Sequence, residues 1–407
     1  MSQISYLESR DKSQCYGCEA CAQACRFGAI SIVADEDGFR YPLINQSKCM
    51  DCGACRKVCI AAHGLSSHAP QEAYGGYVLD NATKMASTSG GFFSAIVDAW
   101  ADDNTIIFGA ETDGLEVRHS WVEGKSNIGK FRKSKYLQSR IGNAYVEVKR
   151  FLAEGRRVIF SGTPCQIAAL KLFLDDSSYE RLLTIEVVCE GVPSPLYIKK
   201  FAVWLGEKFD SKVTEINYRC KDGCRWDFQV MQTSLQNPTS GTFKWTQDRW
   251  FNPFWSIWLQ HLMSRPSCYR CKFAARERVA DITLGDLWGV HLYCPELYGR
   301  NGGCSVAFCN TAKGVQAMNA AKKKIYGHAL PIETAIRYQG PLRGHIQDNP
   351  RRDEFMSDLK SLPYTEIVKK YAKRPSLKLL FQKYVWGNRQ KVWWWNLRRK
   401  WSRNHVQ

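Results

Sequence analysis

The chain has 407 residues, of which 44% are hydrophobic and 24% are charged, a composition typical of a soluble globular protein with room for two or three domains. No apolar run is long enough to span a bilayer and the polar first residues do not resemble a signal peptide, so we expect a cytoplasmic protein. The net charge of +18 includes twelve Lys or Arg and no Asp or Glu in residues 367–407, which indicates a basic tail rather than a basic surface throughout.

Two runs of four cysteines lie near the start of the chain, CYGCEACAQAC at residues 15–25 and CMDCGACRKVC at residues 49–59. In a reducing compartment such thiols are metal ligands rather than disulfides. Each run has the spacing C-x2-C-x2-C-x3-C, typical of proteins with paired 4Fe-4S clusters in which the fourth cysteine of each run binds the other cluster. Structural zinc is the alternative, but the first three thiols of each run crowd one tetrahedral ion. The predicted ligands are Cys15, Cys18, Cys21 and Cys59 for one cluster, and Cys49, Cys52, Cys55 and Cys25 for the other.

The stretch AISIVADEDGFRYPLI between the runs predicts a β-hairpin with an Asp-Gly turn. After a polar linker, STSGG precedes an amphipathic helix. Glycines at a helix start allow backbone N–H groups to meet a phosphate, and a simple turn is the alternative.

Two later segments, RRVIFSGTPCQIAALKLFL and LLTIEVVCEGVPSPLYIKKF, each predict a strand, a turn and a helix, which favours an α/β core. Cys165 lies in the first turn of its helix, where a thiol has a lowered pKa that suits metal binding or reactivity. Cys189 follows the second strand, and Cys268 and Cys271 form a C-x2-C pair further on.

Six segments in order resemble the beta-subunit family of coenzyme F420-reducing hydrogenases and dehydrogenases: STSGG, SKYLQS, FSGTPCQIAALK, VCEGVPSP, RPSCYRCKF and ADITLGDLWG. The resemblance implies a flavoprotein that passes electrons between FAD and iron–sulfur clusters. The cofactor-binding positions it implies are Thr88, Ser89, Gly90, Gly91, Ser134, Lys135, Tyr136, Gly162 and Thr163. Many relatives have a histidine where this chain has Glu190, a difference that concerns the substrate rather than the cofactor.

Lys135 and Glu190 are the candidate catalytic residues. Lys135 or Arg132 beside the flavin would stabilise its reduced form, whereas a solvated charge run is the alternative. Asp281 and Asp286 either line the same site or cap local structure.

Cys165, Cys189, Cys268 and Cys271 are predicted to bind a third cluster, with four buried thiols as the alternative. Other cysteines, Cys294 among them, show no metal spacing. None of the eight histidines falls in a metal or catalytic pattern.

These patterns predict an α+β protein with an α/β flavin-binding body. The expected regions are a 4Fe-4S dicluster ferredoxin domain at 1–63, an N-terminal-type region of the beta-subunit family at 73–155, a C-terminal-type region of the same family at 156–330, and a basic, Trp-rich helical tail at 331–407.

The predicted function is that of an FAD-dependent iron–sulfur oxidoreductase acting on a small organic substrate or a deazaflavin-type coenzyme. The alternative is an electron-transfer subunit that has no substrate of its own and feeds a separate catalytic partner; the resemblance suggests surface polysaccharide biosynthesis as one setting. A redox partner protein is expected in either case.

The tail predicts peripheral contact with an anionic membrane at its inner face. Apolar residues recur at helical spacing from Leu377, and tryptophans alternate with basic residues after Gly387, a combination that favours the membrane–water interface. Packing against the body and an acidic partner protein are the alternatives, and nucleic acid is not expected. The tryptophans concerned are Trp393, Trp394, Trp395 and Trp401.

Overall fold

The structure is a computed structural model that describes residues 5–175, 180–222, 225–298 and 302–403. Its first part is a small module around the two cysteine runs, with the elements α1 (Tyr6–Ser9), α2 (Ala20–Ala24), β1 (Ile30–Ala34), β2 (Arg40–Ile44) and α3 (Ala54–Lys57). β1 and β2 pair antiparallel. Gly38 in their turn has a φ of +83°, a conformation that favours glycine. The hairpin predicted between the runs is confirmed.

The body is built on a large mixed sheet. The further strands are β3 (Glu72–Val78), β4 (Ile106–Asp113), β5 (Glu116–Glu123), β6 (Val158–Gly162), β7 (Leu182–Val187), β8 (Lys212–Asn217), β9 (Met231–Asn237), β10 (Gly241–Gln247), β11 (Ile282–Asp286), β12 (Ser305–Cys309) and β13 (Ile325–Leu330). Among the described residues, eight of them form one sheet in the order β13-β3-β12-β11-β7-β6-β4-β5. The pairs β4–β6, β6–β7 and β7–β11 are parallel, whereas the outer pairs are antiparallel. Because β3 lies between β12 and β13, the two regions predicted for the beta-subunit family share this sheet.

Helices cover the sheet and a smaller antiparallel sheet of order β10-β9-β8. They are α4 (Asn81–Ala86), α5 (Phe92–Trp100), α6 (Ala144–Ala153), α7 (Pro164–Phe173), α8 (Pro195–Lys208), α9 (Pro253–Trp258), α10 (Val290–Tyr293), α11 (Ala312–Ala321), α12 (Ile332–Arg337), α13 (Arg352–Ser361), α14 (Tyr364–Tyr371), α15 (Leu377–Leu380) and α16 (Asn388–Arg403). Both predicted strand–turn–helix units, β6–α7 and β7–α8, are confirmed. Thr163 and Gln166 form a capping box at the start of α7, which fixes where that helix begins.

The hydrophobic cores join parts of the chain that the sequence analysis separated. One core contains Tyr16 and Ile60 of the module together with Tyr145 and Ile167 of the body. A second core lies among α8, α9, α13 and α14, and it buries Ile367 completely. Residues as far as α14 are therefore part of the folded body, and only α15 and α16 of the predicted tail region lie outside these cores. No helix of the described residues is long and apolar enough to cross a membrane.

Candidate functional site

The first predicted ligand set surrounds one small cavity in the module, which Cys15, Cys18, Cys21 and Cys59 line together. Burial raises the pKa of Cys18, Cys21 and Cys59, and a neighbouring cysteine raises it further in each case. Thiols with raised pKa values stay protonated at neutral pH unless a cation stabilises the thiolate. The arrangement therefore suits a bound metal cluster.

The second predicted set, Cys25, Cys49, Cys52 and Cys55, lies nearer the surface. Cys52 is exposed and the other three are partly buried. The Ala29 amide donates to Cys25 Sγ at 3.3 Å, and such a bond to a sulfur stabilises a reduced cluster. Burial raises the pKa of Cys55, with a contribution from Cys25. This set is the more accessible of the two to an external electron carrier.

Four further cysteines, contributed by three segments of the body, line a cavity of 450 Å³. Cys165 lies in the first turn of α7, Cys189 follows β7, and Cys268 and Cys271 lie in and just after a short 3-10 helix, Pro266–Arg270. Burial is the main cause of their raised pKa values, which reach about 12 for Cys165 and about 11 for Cys268, so the lowered pKa expected for Cys165 from its position at a helix start is wrong. The structure thus brings together the four cysteines predicted to hold a third cluster.

Arg265 connects this cavity with the module. Its buried guanidinium donates through Nε to the Cys15 carbonyl at 2.8 Å and through Nη2 to Cys15 Sγ at 3.5 Å. Although burial opposes it, the negative charge of Cys15 raises the pKa of Arg265. Arg265 and Tyr16 both line the cavity of the four body cysteines, so the two cysteine sites are separated by these side chains.

A buried cationic centre lies beside the SKYLQS segment. Arg219 Nη1 pairs with Asp286 at 3.0 Å and lies 3.3 Å from the Tyr136 hydroxyl, whereas its buried Nη2 has no partner among the described residues. Burial lowers the pKa of Arg249, and the charge of Arg219 lowers it further. Burial also lowers the pKa of Lys221 to about 7. Asp286 pairs with Arg219 and the charge of Glu190 acts on Arg249, but Arg219 Nη2 still lacks an acceptor among the described residues, so the centre suits an anionic group.

The STSGG and SKYLQS segments are in contact, because the Ser134 amide donates to Thr88 Oγ1 at 2.7 Å. Gly90, however, is packed against the sheet. Its amide donates to Ser305 Oγ at 2.8 Å, and a Cβ on Gly90 would lie 2.4 Å from the Gly76 carbonyl oxygen. The close approach that requires glycine at this position is to neighbouring strands.

The other predicted cofactor-binding residues lie at the ends of elements. Ser89 donates to the Cys304 carbonyl at 2.5 Å, and Gly91 begins α5 with a φ of +86°. Gly162 ends β6, and Thr163 caps α7.

Residues 155–335 match the family model that describes the C terminus of the beta subunit of coenzyme F420 hydrogenase/dehydrogenase. This part of the chain thus carries the C-terminal domain of that beta-subunit family. Residues 14–62 match the model of the 4Fe-4S dicluster domain, so the chain is an iron–sulfur electron-transfer protein related to the beta subunits. The resemblance inferred from the six segments is confirmed.

One similar solved structure is a chain of the F420-reducing NiFe hydrogenase complex from Methanosarcina barkeri, studied by xenon derivatization. It is 15% identical with a TM-score of 0.42, and the match covers 74% of the present chain and 92% of that chain. No curated protein matches the sequence.

The two candidate catalytic residues lie in different surroundings within the body. Lys135 Nζ donates to the Arg132 carbonyl at 2.7 Å, and burial, reinforced by Lys133, lowers its pKa to about 8. Glu190 lines the cavity of the four body cysteines, 3.7 Å from His261 Nε2, and burial raises its pKa. The described contacts include no hydrogen bond or ion pair between Lys135 and Glu190.

The two aspartates of ADITLGDLWG have different positions. Asp281 accepts from the Thr184 hydroxyl and the Thr311 hydroxyl, each at 2.7 Å, so it ties β7 to the start of α11. Asp286 belongs to the cationic centre. Neither Arg265 nor Arg219 was predicted to be functional, although both stand in segments rich in cysteine and basic residues, RPSCYRCKF and YRCKDGCRW.

Proposed function

We propose that the protein is an FAD-dependent iron–sulfur oxidoreductase in which a third cluster, bound in the body cavity, links the dicluster module to a flavin. 4Fe-4S clusters carry single electrons, whereas FAD exchanges electron pairs with an organic substrate. The observation that carries the proposal is the convergence of Cys165, Cys189, Cys268 and Cys271 on one cavity that also contacts Arg265 and Tyr16.

The body cysteines would ligate the third cluster. Since all four cysteines are partly buried, they would limit the access of water to the iron. Arg265 would fix the position of the module relative to this cavity, because its guanidinium contacts Cys15 and its side chain also lines the cavity.

The cationic centre supports an FAD site. Nη2 of Arg219, which has no partner among the described residues, and the partly buried cation of Arg249 offer donors and positive charge to a pyrophosphate or to the N1/C2=O edge of a flavin. Trp226 and Trp288 stack at 5.4 Å beside them, with an interplanar angle of 15°, and supply apolar surface for an aromatic ring system. Thr88, Ser134 and Lys135 stay the predicted contacts from the resemblance. The substrate we propose is a small organic molecule or a deazaflavin-type coenzyme.

The flavin assignment is tested by purifying the protein without oxygen and measuring bound FAD after unfolding. Arg219→Lys keeps a cation opposite Asp286 but removes the second guanidinium nitrogen, and we expect it to weaken FAD binding at least about tenfold. Arg225→Lys, in the same segment but paired with Asp227 at 3.0 Å, is the matched control and should bind FAD normally. Wild-type protein without flavin, or full occupancy in Arg219→Lys, would contradict the assignment.

An electron-transfer role without a substrate of its own is the second candidate, and the exposure of Cys52 favours exchange with a partner protein through the second cluster. Turnover of a deazaflavin or another small acceptor by the purified chain separates the two functions, because an electron-transfer subunit requires its partner for turnover.

A further inference from the structure

We propose that Cys294, Glu296 and His328 bind a zinc ion, at a site separate from the predicted iron ligands. One sulfur, one carboxylate oxygen and one imidazole nitrogen from these residues all lie within 4.8 Å of one another. Thiolate, imidazole and carboxylate are the ligands that zinc takes in proteins, usually in tetrahedral geometry. The proposal is independent of the flavin and of the third cluster.

The three ligands come from two elements that are distant in sequence. Cys294 ends α10, and the backbone turns directly after it because the Leu297 amide donates to the Cys294 carbonyl at 3.0 Å. His328 lies on β13, the edge strand of the large sheet, so the site would fasten the segment after α10 to the sheet.

Burial and charge favour a metal ion over an ordinary ion pair at this site. Cys294 is buried, whereas the side chains of Glu296 and His328 are 49% and 43% exposed, which leaves room for water as a fourth ligand. The thiolate and the carboxylate together carry two negative charges, which balance Zn²⁺ when the imidazole is neutral. His328 Nε2 and Glu296 Oε1 are 3.2 Å apart, which suits two donor atoms that bind the same zinc ion.

The test is elemental analysis of the anaerobically purified holoprotein after growth with added zinc, followed by zinc K-edge X-ray absorption. We expect about one zinc per chain, with one sulfur at about 2.3 Å and nitrogen or oxygen neighbours at about 2.0–2.2 Å. Zinc held by three or four sulfurs would show occupation of a cysteine run instead, and that result, or the absence of zinc, would overturn the proposal.

Variants assign the ligands. His328→Gln and Cys294→Ser should each weaken zinc binding at least about tenfold, while the iron content stays that of the wild type. His291→Gln removes an imidazole from the same helix, α10, and should leave zinc binding unchanged. If Cys294→Ser fails to fold, His328→Gln alone tests the site, because the His328 side chain is partly exposed and its replacement should leave the fold intact. Undiminished zinc binding in His328→Gln refutes the site.

Discussion

At the scale of single residues, Arg265 is the side chain that couples the module to the body. It is 1% exposed, and it also donates to the Arg40 carbonyl at 2.8 Å. A buried cation next to a predicted ligand sulfur stabilises the reduced form of a cluster, because hydrogen bonds and charges near the sulfurs influence its reduction potential. Arg265 is therefore expected to tune the first cluster as well as to position it.

Replacing Arg265 by Gln should lower the reduction potential of the first cluster, measured by EPR-monitored redox titration. It should also destabilise the protein by about 1–3 kcal/mol, because the carbonyls of Cys15 and Arg40 lose a charged donor. Arg265→Lys retains the charge and should lower the potential less. Arg270→Gln, an exposed position on the same short helix, is the control; equal potentials in all four proteins would show that Arg265 only supports the fold.

Lys135 gives a pH-dependent prediction, since its pKa is lowered to about 8 by burial. The ammonium group is present below that pKa and lost above it. FAD affinity of the wild type should therefore fall between pH 7 and pH 9, whereas Lys135→Arg, charged throughout, should show a flatter profile that keeps only the fall near pH 7 caused by Lys221. Titration of the apoprotein with FAD measures this, with Lys133→Arg as control. A wild-type profile that is equally flat would place Lys135 away from the flavin.

The 4Fe-4S dicluster domain could be predicted from the sequence because the spacing of the cysteines within each of its two runs is local. The contacts of Arg265 could not, since its partner Cys15 is 250 residues away along the chain. The same holds for Cys294 and His328, which no spacing rule joins. Long-range contacts of this kind depend on the order of the strands in the sheet, which local sequence patterns do not reveal.

At the scale of elements, helix and strand positions near the motifs were predictable from turn and capping residues, as α7 and the hairpin show. The glycines before α5 were predicted to meet a phosphate, and the structure gives Gly90 a packing role instead, against β3 and β12. Whether Gly91 or Ser89 contacts FAD stays a prediction.

Gly90→Ala should destabilise the body even in flavin-free protein. The added Cβ would meet the Gly76 carbonyl and the Ser305 amide nitrogen at 2.4 and 2.6 Å, and forced overpacking of this kind costs about 1–3 kcal/mol. Thermal unfolding of the apoprotein measures the effect. Gly129→Ala, where a Cβ would meet open space, is the matched control, and identical melting of both variants would refute the packing role.

The end of the chain divides into an anchored part and an exposed part. Tyr384 packs on Phe228 at a ring separation of 5.1 Å, so the short π-helix Phe381–Val385 that follows α15 contacts the body. In α16, Trp393, Trp394 and Trp395 are 62%, 45% and 42% exposed. The side chain of Trp401 lies outside the described residues.

We propose that α16 contacts an anionic membrane, and deletion of residues 388–407 tests this without removing Tyr384. Exposed tryptophans and basic residues bind the interface, so the deletion should abolish sedimentation with anionic vesicles at low salt, while iron and flavin contents stay constant. Neutral vesicles are the control. If the full-length protein does not sediment with anionic vesicles, the membrane contact is wrong.

At the scale of the whole molecule, the module is fixed to the body by charged and amide side chains. Glu19 Oε2 accepts from the amides of Ile141 and Gly142, each at 3.0 Å, and Gln138 Nε2 donates to the Tyr16 carbonyl at 2.7 Å. The two regions were predictable as separate motifs. Their contact was not, because its polar side chains and the hydrophobic core that the module shares with the body join residues that are far apart along the chain.

The central claim is that a third cluster in the body joins the module to the flavin, and this claim can be tested directly. The most direct measurement is iron and acid-labile sulfide per chain in wild-type protein, Cys189→Ala and the control Cys309→Ala, a buried cysteine outside the site. We expect about 12 iron atoms in the wild type and the control, and about 8 in Cys189→Ala with the module clusters retained. About 8 iron atoms in all three proteins would contradict the account.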